Sequence, residues 1–338
     1  MPEPRVTVVI PTLTAGSALV ECLASLVRQK RRDFEIVVVD NSGSHLAREA
    51  EAERFGARIV EPERNIGFGA AINLGFRESR APFLATLNDD AEAHSGWLDA
   101  LLEAADSRPD AGMFASQVRL ADGGCRLDSA GLLVAGDGSS KQRGHLEAPE
   151  QFGDPADVLC PSASAALYRR AMLEEIGLFD EDFFLYCEDT DLGLRARWAG
   201  WNCQYVPEAV VDHEYSSSAG AASPLKAYCV ERNRLYVLLK NFPAGLLLRA
   251  PFTTLARYFW HLVSVVEDRG SAARFRRERH GVLELAFIVA RAHCAVLFRA
   301  GRLWKKRREV RRKARLTPRE FRGLLKRHWI TPRQVTVL

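Results

Sequence analysis

The chain has 338 residues, 47% hydrophobic and 27% charged, a globular composition long enough to bury a large core. Its seven cysteines are odd in number, scattered and without a C-x-x-C pair, which argues against both a zinc ribbon and a disulfide framework and fits a reducing compartment. The net charge of +4 hides an asymmetry: residues 225–338 carry 27 Lys/Arg against 7 Asp/Glu, leaving 20 against 36 in residues 1–224. Halves of opposite sign imply two jobs, so a catalytic region (1–224) and a basic helical region (225–338) are expected.

At the N-terminus Pro2, Glu3 and Pro4 lead straight into an apolar run, where a signal peptide would begin differently, so a cytosolic location is expected. Val6–Ile10 reads as a buried strand ended by Pro11, and residues 17–29 carry Leu19, Cys22, Leu23, Leu26 and Val27 at helical spacing. Further strands are predicted over residues 36–39, 58–60 and 83–87, and helices over 44–55, 68–77 and 96–105. Continuous Val/Ile runs separated by helices predict an α/β fold with a parallel sheet covered on both faces. Ligands of such sheets bind at the carboxyl ends of the strands.

Residues 121–155 are rich in Gly, Asp and Ser and read as irregular structure or a short hairpin. A strand over 158–167, helices over 170–176 and 188–198, and a strand over 201–206 follow. Beyond residue 225 the pattern is helical and basic.

Two acidic groups fall at strand ends: Asp40 after Val37-Val38-Val39, and Asn88-Asp89-Asp90 after Phe83–Leu87. A carboxylate there faces the ligand crevice, where it can accept bonds from a ribose or base or hold a cation; a turn or helix-capping role is the plain alternative. With period-two alternation Asn88 and Asp90 share one side and Asp89 the other. Gly67-Phe68-Gly69 opens like a dinucleotide fingerprint, but Ile72 stands where its third glycine belongs. Phe183–Cys187 runs into Glu188, Asp189 and Asp191 at a helix start, which is either a response to the helix dipole or the placement of a general base. His213 ends the apolar run Val210-Val211.

Taken in order, Val6–Thr12, Val38–Asn41, Asn65–Phe68, Leu87–Asp90, Phe184–Arg195 with Gly200-Trp201, and His213 followed by Ser216-Ser217-Ser218 resemble family 2 glycosyltransferases of the GT-A fold, particularly their rhamnosyltransferase-like branch. The resemblance runs from about residue 5 to 240. It implies a GT-A nucleotide-sugar fold, a mostly parallel sheet flanked by helices. Pro11, Thr12, Asp40, Asn65, Gly67, Asn88 and Asp89 would line the donor site. Asp90 and His213 would hold Mg²⁺ or Mn²⁺, with Asn88 in place of the first Asp of a D-x-D element. Asp189 would be the catalytic base with Glu188 beside it. The implied reaction is inverting transfer of a sugar, with rhamnose the candidate by resemblance, from a nucleotide-diphosphate donor to a saccharide or lipid-linked saccharide in surface-glycan synthesis. A catalytically silent sugar-nucleotide or membrane-binding module and a nucleotidyltransferase are the competing readings.

In the basic region, residues 246–266 and 281–299 are apolar but interrupted by Arg249, Arg257, His261, Glu284 and Arg291, which predicts amphipathic helices and no membrane span. Lys305–Arg308 and Arg311–Lys313 suit an anionic membrane surface, hence peripheral attachment at the cytoplasmic face of an inner membrane. A solvated face or a homo-oligomer interface are the alternatives. No nucleic-acid partner is expected, since no recognition motif accompanies the charge.

Overall fold

The computed structural model describes residues 3–214, 223–267 and 281–337, together with 270, 275 and 277. Ser216–Ser218 lie outside the described residues. The strands are β1 (Val6–Thr12), β2 (Phe34–Asp40), β3 (Ala57–Val60), β4 (Phe83–Leu87), β5 (Ala91–Ala93), β6 (Ala111–Leu120), β7 (Leu127–Ser129), β8 (Leu132–Val134), β9 (Ser140–Gln142), β10 (Ala156–Asp157), β11 (Ala165–Arg169) and β12 (Asn202–His213). The helices of the first part are α1 (Ser17–Val27), α2 (Leu46–Glu49), α3 (Phe68–Arg77), α4 (Trp97–Ser107), α5 (Arg170–Ile176) and α6 (Glu188–Trp198). Those of the basic region are α7 (Pro224–Asn241), α8 (Ala244–Leu247), α9 (Ala250–Val266), α10 (Val282–Phe298), α11 (Ala300–Arg312), α12 (Pro318–Arg327) and α13 (Pro332–Val337).

The main sheet has the order β10-β12-β6-β11-β4-β1-β2-β3, with β5 on β12 and β7 on β6. Side chains alternate between two cores. Val9, Val37, Val39 and Leu84 face α3 on one side, and Val8, Ile10, Ile36 and Val38 face α1 and α4 on the other. Burial on both faces is why these strands read as unbroken apolar runs. The sheet is mostly parallel, as expected, with β11 running antiparallel between β4 and β6 and the short β5, β7 and β10 antiparallel to their partners. β1 lies between β2 and β4, so the strand ends that carry Asp40 and Asp90 are two strands apart.

Pro11 does not end β1. Asn41 N–H bonds the Thr12 carbonyl on the β2 side, so the backbone of Pro11 faces the other edge. There β4 pairs only as far as Val9, and a missing N–H breaks no ladder bond. The helix expected over 44–55 is interrupted: α2 ends at Glu49, Glu51 takes a left-handed φ of 54°, and a short 3₁₀ turn follows.

The basic region is packed on the α/β body, and one core passes from Val9 through Trp198 to Tyr236, Leu303, Phe321 and Leu325. Phe321 stacks on Trp198 at 3.8 Å between ring centroids, and the Arg311 guanidinium covers the same indole at 3.6 Å. Much of the basic charge is spent here. Lys240 bonds Asp180 and Asp191 at 2.5 and 2.7 Å, Lys306 pairs with Asp180 and Asp182, and Arg307 donates to the Leu239 carbonyl at 2.8 Å. The opposite signs of the two regions therefore mate, and only part of the Lys305–Arg308 cluster faces outward.

Candidate active site

Three strand ends build the centre of the site. β5 pairs antiparallel with β12, setting His213 opposite Ala91, the residue after Asp90. β7 pairs with β6, which in turn runs beside β12, and so carries Asp128 to the same place. The imidazole of His213 lies between them, Nδ1 at 3.0 Å from Asp128 Oδ2 and Nε2 at 3.2 Å from Asp90 Oδ1. Asn88 Nδ2 is 3.1 Å from the same Nε2. Burial opposes charge on this ring, but the hydrogen bonds to Asp128 and Asp90 outweigh it and lift its pKa to about 10. Burial likewise opposes charge on Asp128, and bonds from His145 and His213 overcome it, holding that pKa at about 2.

Asn88 and Asp90 do share a side, although not through strand alternation. Residues 88–90 form a turn between β4 and β5, closed by Ala91 N–H on the Asn88 carbonyl at 3.3 Å. Asp89 points the other way and accepts the Thr12 hydroxyl at 2.6 Å, tying the end of β1 to the end of β4. Burial pushes its pKa up to about 6 despite that bond.

Two protein ligands on adjacent octahedral corners, each about 2.1 Å from a cation, stand about 3 Å apart. The 3.2 Å between Asp90 Oδ1 and His213 Nε2 fits such a pair. Asp128 on Nδ1 would be the outer partner that orients the ring, and a cation at Nε2 would displace the proton that Nε2 shares with Asp90. The side-chain amide oxygen of Asn88, Oδ1, is buried beside them without a hydrogen-bond partner among the described residues. No group of three or more His, Cys, Asp or Glu side chains forms a complete metal cage among those residues. One carboxylate, one imidazole and one amide oxygen form a donor set that fits a hard divalent cation such as Mg²⁺ or Mn²⁺.

Asp40 is deeply buried and organises its own loop: Oδ1 accepts the Ser42 N–H at 3.0 Å, and Oδ2 accepts the Ala47 N–H at 2.8 Å. Thr12 and Asp40 are register partners at the carboxyl ends of β1 and β2. Asn65 and Gly67 are joined through Asn41, whose amide donates to Asn65 Oδ1 at 3.1 Å while its carbonyl accepts the Ile66 N–H at 2.9 Å. Gly67 has φ of 88°, and a Cβ there would collide with the Phe184 carbonyl oxygen and ring. Phe68 N–H donates to that same carbonyl at 2.8 Å, so the glycine lets the start of α3 meet the loop before α6. Gly67→Ala is expected to cost about 2–3 kcal/mol of stability, far more than a surface substitution does. Thermal denaturation checks this.

That loop is strained. Phe184, Tyr186 and Cys187 all have positive φ (64°, 69° and 66°) immediately before Glu188 and Asp189. Residues held this way persist only when their surroundings over-determine them. Here α7 does so: the buried amide of Asn233 donates to the carbonyls of Phe183, Leu185 and Tyr186 at 2.9, 2.8 and 2.7 Å. Arg232 adds a 2.6 Å bond to the Phe183 carbonyl. Neither Asn233 nor Asp128 is legible in the sequence, because each acts through a distant segment and sits in no local pattern.

At the start of α6 the two carboxylates diverge. Asp189 is half-buried, accepts the Thr190 N–H on Oδ1 at 2.6 Å and the Ala163 N–H on Oδ2 at 3.4 Å, and burial raises its pKa. The neighbouring Ser164 carbonyl accepts the Asn88 N–H at 2.8 Å, so Asp189 and the Asn88–Asp90 turn flank one short segment. Glu188 turns inward past Gly69, and its Oε2 has no hydrogen-bond partner among the described residues. Burial first and the Asp189 charge second push its pKa to about 8. A carboxyl with a raised folded pKa destabilises the folded protein progressively as pH rises from about 4.5 to about 8. Glu188→Gln is expected to remove that slope and raise the melting temperature at pH 8 by several degrees, read from thermal melts between pH 4.5 and 9.

A mixed, mostly parallel sheet with acidic strand ends and a helical flank is the GT-A nucleotide-sugar fold. The family profile of glycosyl transferase family 2 matches residues 7–177, and the chain belongs to that family. The chain is 29% identical over 82% of its length, and 97% of the relative's, to the N-acetylglucosaminyl-diphospho-decaprenol L-rhamnosyltransferase of Mycobacterium tuberculosis. It is 27% identical to the pre-mycofactocin glycosyltransferase of the same organism, over 85% of this chain and 61% of that one. Among solved structures, a mannosyltransferase from Pyrobaculum calidifontis in complex with GDP-Man and Mn²⁺ superposes with a TM-score of 0.53 at 18% identity, covering 91% of this chain and 85% of that one. S. aureus TarS 1–349 in complex with UDP gives a TM-score of 0.51 at 17% identity, over 94% and 91%.

Proposed function

We propose that this glycosyltransferase moves a sugar from a nucleotide-diphosphate donor to a saccharide hydroxyl on a lipid-linked acceptor, inverting the anomeric configuration, in surface-glycan synthesis. The carrying observation is the meeting of Asp90, Asn88 and His213 at the end of β4, with Asp189 across the 162–164 segment. Pro11, Thr12, Asp40, Asn65, Gly67, Asn88 and Asp89 line or shape the donor pocket. Asp90 and His213 are the residues that would hold Mg²⁺ or Mn²⁺, and the cation supplies neutralisation of the departing diphosphate's charge.

Asp189 takes the proton from the acceptor hydroxyl as that oxygen attacks the anomeric carbon. Its raised pKa strengthens it as a base, while the Thr190 and Ala163 N–H groups fix its direction. Glu188 stays protonated below about pH 8 and spares Asp189 a second adjacent charge. Asn233 and Arg232 keep the strained loop in the shape that aims Asp189.

The rhamnosyltransferase relative supports a rhamnose donor and an acceptor in which a sugar is joined to a polyprenyl chain through diphosphate. Such an acceptor lies in a membrane, which supports a peripheral location on its cytoplasmic face. No helix among the described residues is long and apolar enough to cross a membrane. The test is to supply dTDP-rhamnose and other nucleotide sugars with a GlcNAc-diphospho-lipid and Mn²⁺, and to read the product by NMR. A new glycosidic bond of inverted configuration is expected. Retained configuration, or donor hydrolysis alone, overturns the reading.

A further inference from the structure

Helix α9 is amphipathic in the reverse sense for a helix on a protein surface. Its polar side faces inward: Arg257 is buried and donates to Asp137 at 2.6 Å and Glu231 at 2.7 Å, with Tyr258 bonding the same Glu231 at 2.5 Å. Its outward side carries Phe252, Leu255, Phe259, Leu262 and Val266, continued backward by Leu248, in steps of four, three, four, three and four. These six are 59 to 85% exposed. Ordinary surface helices place such a stripe against the core. On α10 a second exposed set, Leu283, Phe287, Leu297 and Phe298, looks outward while Ile288, Ala292 and Val296 face inward.

We propose that the outward faces of α9 and α10 dock the protein on an anionic lipid bilayer, their apolar side chains entering the acyl boundary of one leaflet. Three observations choose a bilayer over a second copy of the chain. Outside the buried Arg257, α9 has no charged residue from Ala250 to Val266, whereas a helix seam between proteins is flanked by charges that fix its register. Cations rim the apolar faces. Arg249, Arg322 and Lys326 line a crevice of about 470 Å³ with Thr253 and Trp329 at the start of α9, and none of the three has an acidic partner among the described residues. Lys305, Arg308 and Arg312 are exposed on α11, which follows α10 directly, and are likewise without acidic partners there. Finally, the 17-residue length of each helix and the inward Arg257 suit a helix lying in the interface.

The docking face stands one helix layer from the chemistry. Arg291 of α10 lies 4.4 Å over Tyr228 of α7, and α7 holds the 183–186 loop through Arg232 and Asn233. The proposal deepens the lipid-linked-acceptor reading, yet it is tested without donor or acceptor, so the two can fail separately.

The experiment is co-sedimentation of the full chain with vesicles of equal phosphatidylglycerol and phosphatidylcholine, at 0.1 and 0.5 M NaCl. Binding is expected at both salts, weakened but retained at the higher, because insertion of apolar side chains outlasts screening. Leu255→Ser/Phe259→Ser/Leu262→Ser, all exposed and folded by circular dichroism, is expected to bind at least tenfold more weakly. Arg249→Gln/Arg322→Gln/Lys326→Gln is expected to lose the preference for phosphatidylglycerol over pure phosphatidylcholine vesicles. Wild-type protein that stays in the supernatant, or binding abolished by 0.5 M NaCl, overturns the proposal. So does a stable dimer in sedimentation velocity that the serine triple variant dissociates without any change in vesicle binding.

Discussion

Asp189→Asn is expected to lower kcat for sugar transfer by about 10³-fold, within the range that a positioned general base contributes, while donor affinity stays within about twofold. The substitution keeps the shape of the side chain and lets its remaining oxygen accept the 2.6 Å bond from Thr190 N–H. Only the long 3.4 Å contact with Ala163 N–H is lost. The fold and the donor pocket therefore have little to lose, and the chemistry has everything. Single-turnover transfer beside donor titration separates the two effects. An active Asp189→Asn enzyme would move the base elsewhere, and the inward, protonated Glu188 is poorly placed to replace it.

Asp90→Ala is expected to lower kcat/KM by about 10²–10³-fold, equivalent to about 3–4 kcal/mol of transition-state stabilisation. The residual rate is expected to be insensitive to added chelator. The reason is local: with Asp90 gone, His213 Nε2 loses the carboxylate at 3.2 Å and keeps only Asn88 near it, while Asp128 still holds Nδ1. A single neutral imidazole is a poor ligand for hard cations, which take oxygen donors. Initial rates with graded Mn²⁺, with and without chelator, check the expectation. Wild-type enzyme that turns over normally in chelator would remove the metal from the account.

Local pattern in the chain encodes its buried strands and the residues at their ends. Val6–Ile10 and Ile36–Val39 were legible because strands buried on both faces leave no polar position, and Asp40 and Asn88–Asp90 because acidic residues after such runs are few. The antiparallel β11 was not legible, since a short apolar run carries no mark of its direction. Asp128 escaped notice in the weakly patterned 121–155 segment; only the pairing of β7 with β6 brings it under His213. Asn233 looked like any polar residue of a basic helix, and its role depends on a loop about 50 residues earlier. The charge asymmetry was plain, but its use was not. Lys240, Lys306, Arg307 and Arg311 face the protein, and Arg257, which interrupts the apolar pattern of α9, belongs to that helix's buried side.

The most direct test is Mn²⁺ binding followed by electron paramagnetic resonance in the presence of a nucleoside diphosphate, for the wild-type chain, Asp90→Ala and Asp189→Asn. Nucleotide-dependent binding is expected in the wild type and in Asp189→Asn, and its loss in Asp90→Ala. Equal Mn²⁺ binding by Asp90→Ala and wild type would contradict the placement of the donor diphosphate at the end of β4.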